Sequence, residues 1–130
     1  SRRTHNIFTE DGIEHDYLHM DGQEVYKFAV RQCPKCLLEA LEKADMTADD
    51  IDYFVLHQAN VRIIESVAKR LKAPIEKFPM TLGYTGNMSA ASVPVMLDSL
   101  VRDGGLKRGD KVAMSAFGAG LTYGAIVLEW

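Results

Sequence analysis

The segment Ile51-Asp52-Tyr53-Phe54-Val55-Leu56 limits the fold of this chain more than any other. A strand with one wet face alternates apolar and polar residues, because successive side chains point to opposite sides of the sheet. From Tyr53 to Leu56 the apolar side chains follow one another without alternation, so the strand needs cover on both faces. A parallel sheet sandwiched between helices supplies that cover, and the chain is read as α/β.

The flanking patterns agree. From Gly22 the apolar residues Val25, Phe28, Ala29, Cys33, Cys36, Leu37, Ala40 and Leu41 recur in steps of three and four, which is one face of a helix. Pro34 lies inside that pattern and predicts a kink or break near Val30. Thr47 caps a short turn before the Ile51–Leu56 strand. Asn60 to Leu71 forms a second helix, with Ile63, Ile64, Val67, Ala68 and Leu71 inward and Arg62, Glu65, Lys69 and Arg70 outward. Ser89 to Arg102 forms a third, closed by Asp103-Gly104-Gly105. Residues 15–20 and 75–80 are read as strands, and two more, 111–117 and 121–130, form a hairpin about Gly118-Ala119-Gly120. The expected order is βαβαβαββ: a three-layer α-β-α unit whose five-stranded, mainly parallel sheet ends in an antiparallel edge strand.

At 130 residues the chain has the size of one domain, and no repeat or linker divides it, so residues 1–130 are read as a single domain. It opens without Met on a polar stretch, and is expected to be a piece of a longer protein. No apolar run approaches the ~18 residues of a membrane span, and Ser1-Arg2-Arg3 does not open a signal-peptide pattern. A net charge of −3 argues against a nucleic-acid partner, which needs a concentrated basic surface. Two closely spaced Cys make no disulfide framework and favour the cytoplasm.

In open α/β sheets ligands bind beyond the carboxyl ends of the strands. His57 stands at such an end, and so do the turns Gly83-Tyr84-Thr85-Gly86-Asn87 and Gly118-Ala119-Gly120. The residue types alone leave two readings open. A histidine at a strand end can be a satisfied structural residue, Asn60 and Asn87 are natural helix caps, and turn glycines serve backbone geometry. The same residues can also build a site at the carboxyl edge.

Three segments, His57-Gln58-Ala59-Asn60-Val61-Arg62-Ile63-Ile64, Gly86-Asn87-Met88-Ser89-Ala90-Ala91-Ser92-Val93-Pro94 and Ala116-Phe117-Gly118-Ala119-Gly120, resemble signatures of the thiolase-superfamily condensing enzymes. The similarity is closest to the β-ketoacyl-acyl-carrier-protein synthase III family and runs from about Leu18 to Trp130. It implies the C-terminal half of a two-fold repeated thiolase fold, with the nucleophilic cysteine in an N-terminal half outside this chain. It also implies a dimer and no covalently bound cofactor. The substrates it implies are an acyl-coenzyme A and the phosphopantetheine thioester of malonyl carrier protein, joined with loss of carbon dioxide to begin fatty acid synthesis.

The resemblance assigns His57 and Asn87 to stabilise the enolate formed on decarboxylation. A neutral imidazole N–H and a carboxamide N–H₂ suit that task, since each donates without surrendering its proton. The His-plus-Asn pair matches the initiating class, whereas the elongating enzymes use two histidines. The backbone N–H of Ala119, where the family usually has glycine, would serve the oxyanion hole of acyl transfer; its methyl group is harmless if φ stays negative. Gln23, Ala59, Asn60 and Arg62 match coenzyme A and pantetheine contacts, with Gln23 in place of the usual Asn. Met20 and Tyr26 match tunnel-lining positions, Tyr26 replacing Phe. Arg62, Lys69 and Arg70 share one helix face and match the docking surface for the acidic carrier protein.

Other readings compete. One is a related starter enzyme for polyketides or alkylquinolones; another is a non-catalytic scaffold that binds carrier protein. A third is a thiol-disulfide protein using Cys33 and Cys36, which requires an exposed thiol of lowered pKa. Both sulfurs fall on the apolar stripe of their helix, which favours core packing. His5, His15 and His19 lack accompanying carboxylates or cysteines, so no metal site is expected.

Overall fold

The unalternating run forms β1, Tyr53–Leu56, in a computed structural model that describes residues 20–130. In chain order the other elements are α1 (Gly22–Lys43), α2 (Val61–Leu71), α3 (Leu82–Thr85), α4 (Ser92–Arg102), β2 (Lys111–Gly118) and β3 (Thr122–Glu129). Short 3-10 turns occupy Ala48–Asp50, Ile75–Lys77 and Ser89–Ala91.

β2 lies between its two neighbours. It pairs in parallel with β1, Tyr53 opposite Val112 and Leu56 opposite Ser115, and antiparallel with β3, Lys111 opposite Glu129. Alternation along β1 then sorts its side chains. Phe54 and Leu56, with Ala113, join the cluster built by Ala29, Cys33, Leu37 and Leu41 of α1 and Ile64, Val67 and Leu71 of α2. Val55 and Val112 face the other way, onto Met96 of α4 and Leu106. Helices therefore cover both faces, which is why the strand carries no polar alternation.

Local signals set the helix ends. Asp21 Oδ1 accepts the N–H groups of Gln23 and Glu24 at 3.0 Å, capping α1. Thr47 and Asp50 form a reciprocal capping box, the Asp50 carboxylate accepting from the Thr47 N–H at 2.8 Å and hydroxyl at 2.7 Å. Those bonds hold the Asp50 carboxyl below its ordinary pKa. Asn60 caps α2 by accepting the Arg62 N–H at 2.8 Å.

Two expectations are corrected. Of the kink or break expected near Val30, the break is absent: α1 is one helix from Gly22 to Lys43 with Pro34 buried inside it. A proline within a helix costs about 3 kcal/mol. Burying a side chain such as Leu37 or Leu41 returns about 1.5–3 kcal/mol each, and both lie on the face that holds the helix to the sheet.

Of the five expected strands, three form among the described residues. Residues 75–80 are not a strand: Pro74 starts a 3-10 turn with φ −64°, and Pro79 has no N–H to give a ladder. Phe78 instead stacks on Phe54 with centroids 4.7 Å apart. The strand expected at 15–20 lies outside the described residues, apart from Met20, which belongs to no strand. No described helix is long and apolar enough to cross a membrane.

Candidate active site

β1 ends on His57, whose backbone N–H extends the parallel ladder by donating to Ser115 O at 2.9 Å. That bond fixes where the imidazole leaves the sheet. The ring is half-buried and meets Phe117 of β2 edge-on, centroids 5.1 Å apart. Burial pushes its pKa below the ordinary histidine value, so at neutral pH the imidazole is uncharged and carries one N–H.

Asn87 arrives from the opposite side, on the turn after α3. Gly86 takes φ +66°, a left-handed conformation that suits glycine, and Asn87 follows. The Asn87 carbonyl oxygen accepts the Ser89 N–H at 2.9 Å. Because that partner is a donor, the oxygen end of the amide is the engaged one, and its N–H₂ has no partner among the described residues. Ser89 itself has φ +53°, a strained value for a residue with a Cβ, and strain of this kind gathers at functional turns. Ser92 Oγ accepts the Met88 N–H at 3.2 Å and holds the turn to the start of α4.

The two side chains line one cavity. A cavity of about 800 Å³ opens between the start of α4, the carboxyl half of β2 and the amino half of β3, lined by His57, Asn87, Ser89, Val93, Phe117, Gly118 and Tyr123 among others. Its wall is mainly apolar with a few polar groups, the make-up of a small-molecule site. A neutral N–H from one wall and a carboxamide N–H₂ from another can together stabilise charge developing on an oxygen between them.

The remaining candidates lie elsewhere. Ala119 is exposed at the tip of the β2–β3 hairpin, flanked by cavity residues Gly118 and Thr122 but outside the lining. Its φ is not positive, so its methyl group causes no strain, whereas Gly120 (φ +139°) could not carry a Cβ without meeting Thr122 Cγ2 at 2.8 Å. Ala59, Asn60 and Arg62 form the entry to α2 directly after His57, and Lys69 and Arg70 are exposed in its last turn. Met20 is 66% and Tyr26 37% exposed, and with Gln23 they stand at the start of α1, outside the lining.

The cysteines take no part. Cys33 and Cys36 are buried and unpaired, and burial raises both thiols, Cys33 to about 11. Cys36 Sγ sits 3.4 Å from Ser115 Oγ inside the core. The exposed, acidified thiol that disulfide chemistry needs is therefore missing, and that reading is overturned. Among the described residues no His, Cys, Asp and Glu side chains gather as a metal site; His5, His15 and His19 lie outside them.

Sequence reasoning passed over Gln58 and Phe117. Gln58 is two residues beyond Leu56, so strand alternation alone points it at the same interior, and it is fully buried. The same alternation sets Phe117 on the inward side with Ala113 and Ser115.

Comparison with known proteins follows the same lines. A family model described as 3-oxoacyl-[acyl-carrier-protein] synthase III C terminal matches residues 41–130. The β-ketoacyl-[acyl-carrier-protein] synthase III of Microcystis aeruginosa is 52% identical over 113 residues, covering 87% of this chain and 34% of the relative. The crystal structure of 3-oxoacyl-[acyl-carrier-protein] synthase III from Aquifex aeolicus VF5 superposes with a TM-score of 0.86 at 42% identity, covering 88% of this chain and 37% of that one. The priming β-ketosynthase of the R1128 polyketide pathway gives 0.78 at 42% identity, covering 85% and 34%. The chain thus spans about a third of the length of the relatives it matches, and the fold is the thiolase-like arrangement of mixed sheet and helices that they share. On the match across most of its length, the chain belongs to the family of 3-oxoacyl-[acyl-carrier-protein] synthase III C-terminal regions.

Proposed function

We propose that this chain is the C-terminal domain of a condensing enzyme that starts fatty acid synthesis, joining the acyl group of an acyl-coenzyme A to malonyl carrier protein with loss of carbon dioxide. The nucleophilic cysteine comes from a segment outside this chain, so the chain alone is inactive. Once that thiol carries the acyl group, the malonyl thioester sheds its carboxylate and an enolate forms. Its oxygen takes one hydrogen bond from the neutral His57 imidazole and one from the Asn87 carboxamide. The resulting carbanion attacks the acyl-cysteine carbonyl, whose oxyanion is received by the backbone N–H of Ala119. The thiol leaves and the β-ketoacyl carrier protein is released.

The observation that supports this reading is that His57 and Asn87 line the same mainly apolar cavity at the strand ends, with the Asn87 amide oxygen engaged by the Ser89 N–H. In the full-length protein His57→Ala is expected to lower decarboxylation of malonyl carrier protein by about 10²–10³-fold. Acyl transfer from acyl-coenzyme A to the enzyme is expected to survive. Normal decarboxylation by that variant would refute the role given to His57.

Carrier protein docks on Arg62, Lys69 and Arg70, which are exposed on α2. Reversing two of these charges is expected to slow association and flatten its dependence on salt. The nucleotide and pantetheine arm of coenzyme A pass Arg62, Asn60, Ala59 and Gln23, and the acyl tunnel runs by Met20 and Tyr26. The enzyme works as a cytoplasmic homodimer with neither metal nor covalent cofactor.

The likeness to a polyketide priming synthase supports a second reading, a starter enzyme of the same chemistry with another acyl donor. A panel of acyl-coenzyme A donors of differing length and branching separates the two.

A further inference from the structure

We propose that Gln58 is a positioning residue: its buried side-chain amide ties the loop carrying His57 to the loop carrying Asn87 and so sets the separation of the two donors. This rests on the roles given to His57 and Asn87 above.

Gln58 is 0% exposed, and its partners are all backbone groups. Nε2 donates to Leu56 O at 3.0 Å, which anchors the side chain to the end of its own strand. It also reaches Pro79 O at 3.4 Å, while Oε1 accepts the Thr81 N–H at 3.1 Å. A carbonyl and the N–H two residues later, both turned to one partner, is the pattern by which a strand meets its neighbour. A primary amide has the donor and acceptor of a peptide, so the side chain stands in for a neighbouring strand that residues 75–80 do not find. Pro79 and the 3-10 turn at Ile75–Lys77 exclude ordinary pairing there.

The link continues to the site. Thr81 O accepts from the N–H groups of Tyr84 and Thr85 at 3.0 and 2.9 Å and from the Thr85 hydroxyl at 3.0 Å, so α3 hangs from Thr81. Leu82 O accepts the Gly86 N–H at 3.2 Å, and Asn87 is the next residue. From the other end, Gln58 is bonded directly to His57. One amide thus sits between the two donor-bearing segments, where an error of about 1 Å in a catalytic geometry costs about 10²-fold in rate.

The test uses the full-length protein and follows decarboxylation and the acyl-transfer half-reaction separately. Gln58→Met keeps the bulk but loses every bond to the amide. It is expected to lower decarboxylation kcat by about 10²-fold. KM for malonyl carrier protein and the acyl-transfer rate should stay within about 3-fold. In an Asn87→Ala background the same change should cost less than about 3-fold, because the donor it positions is gone. Gln58→Glu gives a pH readout. When the introduced carboxyl is protonated it donates to Leu56 O and accepts from Thr81 again; when ionised it faces two carbonyls. Its rate relative to the parent is therefore expected to rise as pH falls. His57 is the adjacent titratable group, and taking the ratio cancels its own titration.

Decarboxylation by folded Gln58→Met within about 3-fold of the parent would overturn the proposal. So would an equal fall in both half-reactions, which marks loss of fold rather than of alignment. If Gln58→Met does not fold, a flat pH ratio for Gln58→Glu overturns it. His57→Ala runs alongside: should it decarboxylate normally, the reading of the site fails, whereas an inactive His57→Ala beside an active Gln58→Met fails this proposal alone.

Discussion

The two faces of the sheet are built to different standards. On one, α1 and α2 press Leu37, Leu41, Ile64 and Val67 onto Phe54, Leu56 and Ala113, and every one of these side chains is buried. On the other, α4 and Leu106 cover Val55 and Val112, and beyond them the wall opens into the cavity that holds His57 and Asn87. The first face supplies rigidity, and the second leaves room for a substrate. A site needs both, since donors keep their aim only when the strand beneath them cannot shift.

The contrast can be broken by mutation. The largest effect is expected from Phe54→Ala, which empties the space under Phe78 on the packed face and should cost about 3–5 kcal/mol in urea unfolding. Ile126→Ala on the cavity wall removes a side chain that is 53% exposed, and should cost under about 1 kcal/mol. Equal losses from the two changes would mean that the faces do not differ.

Next in size is the loss of a cap. Asn60→Ala leaves the Arg62 N–H at the start of α2 without its acceptor, and about 1 kcal/mol of stability should go with it. Acid sharpens the comparison further. The His57 pKa lies below the ordinary 6.5 because burial disfavours the cation. As pH falls below that ordinary value the unfolded chain takes up this proton first, so stability declines, and the decline ends below the folded pKa. NMR titration of the imidazole should find its midpoint below 6.5, and His57→Gln should remove this share of the acid sensitivity. The smallest effect belongs to Thr81→Val. Thr81 Oγ1 is buried without a hydrogen-bond partner among the described residues, so its removal should leave stability unchanged or raise it by up to about 1 kcal/mol.

How much of this was legible beforehand depended on whether the deciding partner lay near in sequence. The unalternating run at β1, the stripe of α2 with its Asn60 cap and the terminal hairpin are local patterns, and the structure carries each within a residue or two. That His57 and Asn87 line one cavity is not local: the strand-end rule put both at one edge, but for Asn87 by way of a strand at 75–80 that does not form, and likeness to a family of condensing enzymes is what paired them. Residues 75–80 misled because Ile75, Phe78 and Met80 look like a strand, while Pro79 takes away the N–H such a strand would offer. Pro34 misled in the opposite sense, since packing of α1 against the sheet outweighs what a proline does to an isolated helix. Gln58 went unread because a glutamine next to His57 at the end of a strand looks like surface until its depth is known.

The parallel bond ladder between β1 and β2 joins Tyr53 to Val112 and Leu56 to Ser115, positions separated by about half of the described chain. Closing a pairing of such sequence separation costs loop entropy before its contacts form, which slows folding. The cavity draws its walls from either side of that closure. Until the two strands pair, His57 and the turn bearing Asn87 have no shared cavity between them.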